Sequence, residues 1–287
     1  MKLIHEADEL YVPENFKRNH AYFADPEGQK PYMGITSVLS VIAKNALIQW
    51  AANEAVKYVE DNTKHHALGA TMAEGFVIYP QELREVLAEA RYAHRKKKED
   101  AGQKGTDLHA LVEEYVRMCI ANNGTLGIGD IMLSGHWQKD VEAPNKLVKA
   151  EHLSLIAPFI MWASENSIRF LAAEKRLYSK THWIAGTCDL VFEKDGKTYI
   201  GDIKTYKKLW DRVPMMQCAG YALMAEEMWK NRVYVMDKPR IDGYCIIRIR
   251  DGEFEPTWSF DVEGDTKGFL AALELYSCLK NWGVSEQ

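Results

Sequence analysis

The chain has 287 residues, 47% of them hydrophobic and 27% charged, a balance that excludes a disordered or fibrous protein and leaves room for one large domain. With 36 Lys+Arg against 41 Asp+Glu the formal net charge is −5, which excludes coating nucleic acid by bulk charge, so any nucleic-acid site has to be a local basic patch. No apolar run approaches the roughly 18–20 residues that span a bilayer, and Met1–Glu9 carries no leader pattern, so a mature cytoplasmic chain with no membrane association is expected.

Residues up to about 33 mix Pro, Asn and aromatics (Tyr11, Phe16, Tyr22, Phe23, Tyr32) and read as loops and short strands. Thr36-Ser37 reads as the N-cap of a helix over Val38–Glu60, where Leu39, Ile42, Ala46, Ile48 and Trp50 fall near helical spacing. A second helix starts after Pro80 and runs into the basic stretch Arg91–Lys98. A third begins at Gly105-Thr106 and reaches Ile120, with Leu108, Val112, Tyr115, Val116 and Cys119 as its apolar stripe and Asn122-Asn123-Gly124 as its stop. Pro144–Ser167 reads as one more long helix.

After Arg169 the period shifts towards 2. Glu174–Ser179, Ile184–Phe192 and Thr198–Ile203 read as strands, the last two joined at Asp195-Gly196. Pro214 opens a helix through Trp229, Tyr244–Ile249 and Phe254–Phe260 pair across Asp251-Gly252, and Thr266–Trp282 closes as a helix. This order predicts an α/β (α+β) fold with a central mixed sheet flanked by helices. One domain over 1–287 is expected, with a helical N-terminal part to about residue 103 and the sheet-bearing core from about 104.

The five cysteines (Cys119, Cys188, Cys218, Cys245, Cys278) are odd in number and widely spread, which reads as single buried thiols. Gly196-Lys197-Thr198 is no phosphate-binding loop, because Val191 stands where its first glycine belongs and a strand follows. Gly127-Ile128-Gly129 lacks the third glycine of a dinucleotide fingerprint. His65-His66 reads as a solvated pair.

One constellation carries chemistry. Asp189 follows Gly186-Thr187, and thirteen residues on comes Gly201-Asp202-Ile203-Lys204-Thr205. In a strand Asp202 and Lys204 project from the same face, and burying them among apolar neighbours is costly unless they have partners. Two carboxylates at the ends of adjacent strands can converge on a hard divalent cation, with an ammonium beside them to polarise a water or a phosphate oxygen. Upstream, His109 stands near a helix start in Gly105-Thr106-Asp107-Leu108-His109, with Glu113 one turn on. Downstream, Gln217 and Tyr221 share a helix face.

Taken in order, His109, Gly-Thr-x-Asp189, Asp202-Ile-Lys204-Thr and Gln217-x-x-x-Tyr221 resemble the motif set of the PD-(D/E)XK nucleases, in their RecB-like exonuclease branch. That branch includes phage exonucleases and the mitochondrial genome maintenance exonuclease. Gly34–Ser40 followed by Trp50-Ala51-Ala52 is similar to the opening helix of those members, so the resemblance spans about residues 34–230.

The resemblance implies a restriction-endonuclease-like core and a metal-dependent DNA exonuclease of phage or prokaryotic recombination or repair, with a recombination protein as a possible partner. A structure- or site-specific endonuclease and a non-catalytic DNA-binding module on the same fold are the rivals. It further implies that His109, Asp189, Asp202 and the Ile203 carbonyl hold Mg²⁺ or Mn²⁺ and that Lys204 orients or deprotonates the attacking water. Gln217 would position Lys204 or the phosphate, Tyr221 would contact the DNA backbone, and Glu174 would hold a metal-bound water. Some members carry four cysteines around an iron–sulfur cluster, three of them near the C-terminus. Only Cys278 lies there in this chain, so no cluster is expected.

Two basic runs supply the local patch. One is Arg91–Lys98, with Arg95 and Lys97, read equally as a solvated helix face. The other is Tyr206–Arg212, with Lys207, Lys208 and Arg212 to grip a backbone and Tyr206 or Trp210 to stack on an unpaired base. Thr36 and Ser37 read either as a phosphate site or as plain caps.

Overall fold

The computed structural model describes residues 3–7, 10–15, 21–42, 45–63, 79–133, 150–206, 211–231, 240–250 and 252–281. The chain divides into two units, residues 1–42 with 107–287 and residues 43–106.

In the first unit β1 (Leu3–Ala7) and β2 (Leu10–Pro13) form an antiparallel pair. β3 (Met33–Gly34) joins the main sheet and passes directly into the short helix α1 (Ile35–Val38) and a 3₁₀ turn over Leu39–Val41. Gly34 is the N-cap of α1, so Thr36 and Ser37 lie inside its first turn, and of the helix expected over Val38–Glu60 the part from Asn45 is helical while Leu39–Ile42 is a 3₁₀ turn and an extended residue. The break has a physical cause. Ile35, Val38 and Leu39 are buried in the sheet's core, and the β-branched Val38, Val41 and Ile42 resist propagation, with Ile42 extended at ψ 117°.

The second unit holds α2 (Asn45–Thr63), α3 (Pro80–Ala90) and the first half of α4 (Ala93–Ala121). The Tyr58 hydroxyl donates to Glu89, Lys97 pairs with Glu54, and the Trp50 and His94 rings meet edge-on at 6.5 Å. α4 starts twelve residues before Gly105. The basic run Arg95–Lys98 is made of good helix formers, and a helix of 29 residues absorbs the roughly 1 kcal/mol that each of Gly102 and Gly105 costs.

Back in the first unit, α5 (Ile128–Leu133) and α6 (Ala150–Glu165) precede the sheet strands β4 (Arg169–Ser179), β5 (Ile184–Lys194) and β6 (Lys197–Lys204). The Pro144 start expected for the helix of α6 lies outside the described residues. Asp195 and Gly196 take φ of 52° and 73°, the left-handed pair that a two-residue hairpin loop requires. α7 (Val213–Lys230) crosses over so that β7 (Gly243–Arg250) lies parallel to β6. β8 (Glu253–Ser259) then returns antiparallel, and α8 (Val262–Asn281) closes the fold.

The result is α/β: a six-stranded mixed sheet in the order β3-β5-β6-β7-β8, with β4 on the other edge of β5, and helices on both faces. Alternating strand residues feed two cores. Val191, Ile200, Tyr244 and Ile246 pack with Cys218, Met224 and Phe269 of α7 and α8. Phe192, Tyr199, Cys245 and Ile247 pack with Val112, Tyr115 and Phe159 of α4 and α6. Fully buried side chains such as Tyr115, Phe159 and Phe269 contribute about 1.5–3 kcal/mol each.

The expected division near residue 103 is therefore corrected at its N-terminal end. Residues 1–42 belong with the sheet, because β3 pairs with β5 and Leu10, Val12, Tyr22 and Ile35 are buried in the core on the α7 side. Cys119, Cys188, Cys218 and Cys245 are buried single thiols and Cys278 is half-buried. Among the described residues no helix is long and apolar enough to cross a membrane.

Candidate metal centre

The site is built where two strands part. β5 and β6 pair from Lys194–Lys197 as far as Leu190–Gly201, beyond which β6 pairs only with β7. The next residues on the diverging strands are Asp189 and Asp202. Asp189 fills the gap: its Oδ2 accepts the Ile203 backbone N–H at 2.8 Å, a bond that strand pairing no longer supplies. The other half of that edge of β5 is taken by β3, so the fork is flanked by paired backbone and remains open only at these carboxylates.

β4 adds Glu174. The register Ala173–Leu190 and Lys175–Cys188 sets Glu174 opposite Asp189, two carboxylates side by side across a pair of strands. Like charges in that position are unfavourable, and Glu174 also sits in the left-handed region at φ 48°. α4 supplies the compensating group. His109 Nδ1 lies 3.6 Å from both Glu174 Oε1 and Asp189 Oδ2, and its Nε2 lies 3.1 Å from the Ile203 carbonyl. Ligand atoms of His109, Glu174 and Asp189 all fall within 4.8 Å of one another. The 3.1 Å separation is that of a hydrogen bond from the imidazole to the carbonyl.

Asp202 is the most constrained member. It is fully buried, its Oδ2 is 2.5 Å from the Lys204 ammonium, and beyond that ion pair neither carboxylate oxygen accepts a directed hydrogen bond among the described residues. A carboxylate buried this way depends on that ammonium to offset its charge. Lys204 leans in turn towards Gln217 Oε1 at 3.5 Å, and the Gln217 amide donates to the Tyr221 hydroxyl at 2.9 Å. Tyr221 is itself buried, so the expected contact with a DNA backbone is replaced by a supporting place behind Gln217. The N-terminal segment, which carries no motif of its own, buttresses the same strand: the Tyr22 hydroxyl meets Thr187 Oγ1 at 2.9 Å.

Electrostatics follow from the crowding. Burial would lower the pKa of His109, but Glu174, Asp189 and Asp202 outweigh it and raise the imidazole from 6.5 to about 9. Burial raises both aspartates against the pull of Lys204 and His109, Asp202 from 3.8 to about 6. Burial opposes the charge on Lys204, yet Asp202 and Asp189 raise its pKa.

All of these groups move in the same direction: the folded state binds more protons than the unfolded chain from about pH 4 to about pH 9. Stability in EDTA is thus greatest at the acid end of that window. It falls as pH rises, first through Asp202 and then through His109, by on the order of 1.4 kcal/mol for each pH unit over which the folded state alone keeps one proton. A thermal melt series in EDTA checks this, and Mg²⁺ or Mn²⁺ is expected to restore the melting temperature most at pH 8–9, where His109 gives up its proton readily. A flat profile in EDTA would contradict the assigned geometry.

The remaining expected contacts are dispersed. Lys207, Lys208 and Trp210 lie outside the described residues, as do His65 and His66. Arg212 is engaged elsewhere: its guanidinium bonds to the buried Asp265 at 2.7 Å and to Ser259 Oγ at 2.9 Å, tying the start of α7 to α8. Arg95 and Lys97 belong to the 43–106 unit, where Arg95 lies over the Tyr92 ring at 4.8 Å and Lys97 is paired with Glu54. Glu113 pairs with Arg117. Thr36 is exposed and Ser37 half-buried on a four-residue helix.

No protein-family model matches this chain, and no curated protein matches it. Among solved structures it is similar to SSO0001, known from a crystal structure, at 14% identity and a TM-score of 0.25 over 51% of this chain and 68% of that one. A likeness at that score carries no argument about function.

Proposed function

We propose that the protein is a metal-dependent DNA exonuclease. The observation that supports this reading best is the group of His109, Glu174 and Asp189, whose ligand atoms lie within 4.8 Å of one another, with the Ile203 carbonyl 3.1 Å from the imidazole and the fully buried Asp202 and its partner Lys204 on the same strand as Ile203. The donor set of one imidazole, two or three carboxylates and a carbonyl suits Mg²⁺ or Mn²⁺, the imidazole favouring Mn²⁺ on softness and cellular supply favouring Mg²⁺. His109, Asp189, Asp202 and Ile203 would hold the ion, with Glu174 orienting the other ring nitrogen of His109. The ion would screen the phosphate's charge and lower the pKa of a bound water.

The chain's own groups do the rest. Lys204, held between Asp202 and Gln217, directs its ammonium at the attacking water and offsets charge building on the phosphate. Gln217, braced by Tyr221, limits where Lys204 can point. On this reading the protein acts in the cytoplasm of a prokaryote or of a phage-infected host, in recombination or repair, with DNA ends as substrate and a recombination protein as partner.

Digestion of 5′- and 3′-labelled linear DNA with Mg²⁺, Mn²⁺ or EDTA tests the activity. Metal-dependent release of nucleotides is expected from linear DNA, while covalently closed single- and double-stranded circles persist. Rapid cutting of circles would replace the exonuclease with an endonuclease, and no cleavage under any condition would leave a non-catalytic DNA-binding module.

A further inference from the structure

The 43–106 unit sorts its basic run into two faces. On α4 the His94 imidazole meets the Trp50 ring edge-on and the Lys97 ammonium pairs with Glu54, so both turn towards α2. Arg95 stands about 200° around the helix from Lys97 and lies over the Tyr92 ring at 4.8 Å. Arg91, Tyr92, Arg95 and Lys98 are exposed, and Arg95 and Lys98 are neighbours one turn apart. The tyrosine is 55% exposed even with a guanidinium across its ring.

Two properties set this outer face apart. Its cations are uncompensated: among the described residues Arg91, Arg95 and Lys98 enter no ion pair, although Glu99 follows Arg95 by one turn. Elsewhere in this acid-rich chain such groups find carboxylates, as Arg169 does in Glu193, Arg212 in Asp265 and Arg248 in Glu255. The second property is a large aromatic ring kept at the surface among those cations. A polyanion that carries flat rings answers both. Single-stranded nucleic acid does so, offering phosphates to the cations and a π-face to Tyr92, whereas the bases of a duplex are already stacked on one another.

We infer that this face of the 43–106 unit is a binding surface for single-stranded nucleic acid, with Tyr92 stacking on a base while Arg91, Arg95 and Lys98 meet the phosphates. Arg95 serves both contacts, since a planar guanidinium stacks on a ring and donates to a phosphate at once. Lys97, adjacent in sequence, is excluded from the surface by its pairing with Glu54. None of these residues belongs to the metal centre, so binding here requires neither a metal ion nor cleavage.

Fluorescence anisotropy of a labelled oligothymidylate, titrated with the full-length protein in EDTA over a series of salt concentrations, tests this. Arg95→Ala is expected to weaken binding roughly tenfold at low salt and to lower the slope of log Kd against log salt by about 0.7, the share of one phosphate in a single strand. Tyr92→Leu should weaken binding roughly fivefold or more and leave the slope unchanged, and it should make no difference on an abasic strand of equal length, which keeps the phosphates and lacks the bases. Lys267→Ala removes the same charge from the exposed Lys267–Glu263 pair on α8 and is the control, with a Kd within about twofold of the wild type. All three positions are on the surface, so the variants are expected to melt with the wild type. A wild-type protein that binds no oligothymidylate overturns the inference. So does an Arg95 variant that binds as tightly as the Lys267 variant, or a Tyr92 variant with wild-type affinity for the oligothymidylate. A protein that binds the strand as expected and cleaves no DNA with Mg²⁺ or Mn²⁺ upholds this surface and overturns the nuclease reading alone.

Discussion

Asp202→Ala is expected to lower the rate of metal-dependent DNA cleavage by on the order of a thousandfold or more while the protein remains folded. The first half follows from position. Asp202 is the fully buried acid at the strand fork and lies against the Lys204 ammonium, so on the proposed reading its loss removes a ligand and releases the lysine together. The second half follows from its poor accommodation. Removing one partner of a buried ion pair normally destabilises strongly, but this carboxylate accepts no directed hydrogen bond, and burial already raises its pKa to about 6. Relief of that buried charge offsets the lost attraction to Lys204, which keeps Asp189 as a nearby counter-charge. Single-turnover cleavage beside a thermal melt measures both quantities. Cleavage within tenfold of the wild type would remove Asp202 from the site.

The second large effect is expected from a glycine. Gly186, on β5 opposite Leu177, lies beneath two buried side chains: a Cβ built on it would come 2.9 Å from Tyr221 Cε1 and 3.0 Å from Ile35 Cγ1. Neither neighbour has room to retreat, Tyr221 being 4% exposed and Ile35 2%. Gly186→Val should therefore cost about 3 kcal/mol of stability through overpacking, read as a lower urea midpoint. It should also slow catalysis beyond what unfolding explains, because a displaced Tyr221 withdraws the hydroxyl that braces Gln217, and Gln217 restrains Lys204. A Val variant with the wild-type urea midpoint would show that β5 and α7 do not pack as closely as this. The glycine of the Gly-Thr-x-Asp motif is thus a matter of closeness: only a missing side chain lets α1 and α7 descend onto the strand that presents Asp189.

Local signals make much of the molecule legible. The Asp195-Gly196 turn, the strands on either side of it, the helix from Pro214 and the β7–β8 hairpin each follow from the chain's own period and turn residues. The apolar stripe from Leu108 to Cys119 is the buried face of α4. Boundaries are harder to read where propensity and packing disagree. The basic run before Gly105 joins α4 because Arg and Lys favour helix whatever their charge, and the helix expected over Val38–Glu60 is helical only from Asn45, because Ile35, Val38 and Leu39 are drawn into the sheet's core.

The candidate site divides along the same line. Residue types and spacing draw attention to Asp189, Asp202, Lys204, His109 and Gln217, each placed locally by a strand period of two or a helix turn of four, and the resemblance of their order to a known motif set is what joins them. Only the tertiary structure could set His109 against Ile203, 94 residues away, seat Glu174 opposite Asp189, hide Tyr221 behind Gln217, and engage Arg212 with Asp265. The reason is physical. Which groups a chain contains, and which way they face along one element, is fixed by bonded geometry over a few residues. Which of them lose water together depends on how elements far apart in sequence close over one another, and that burial is what raises the pKa of Asp202 against the pull of Lys204 beside it.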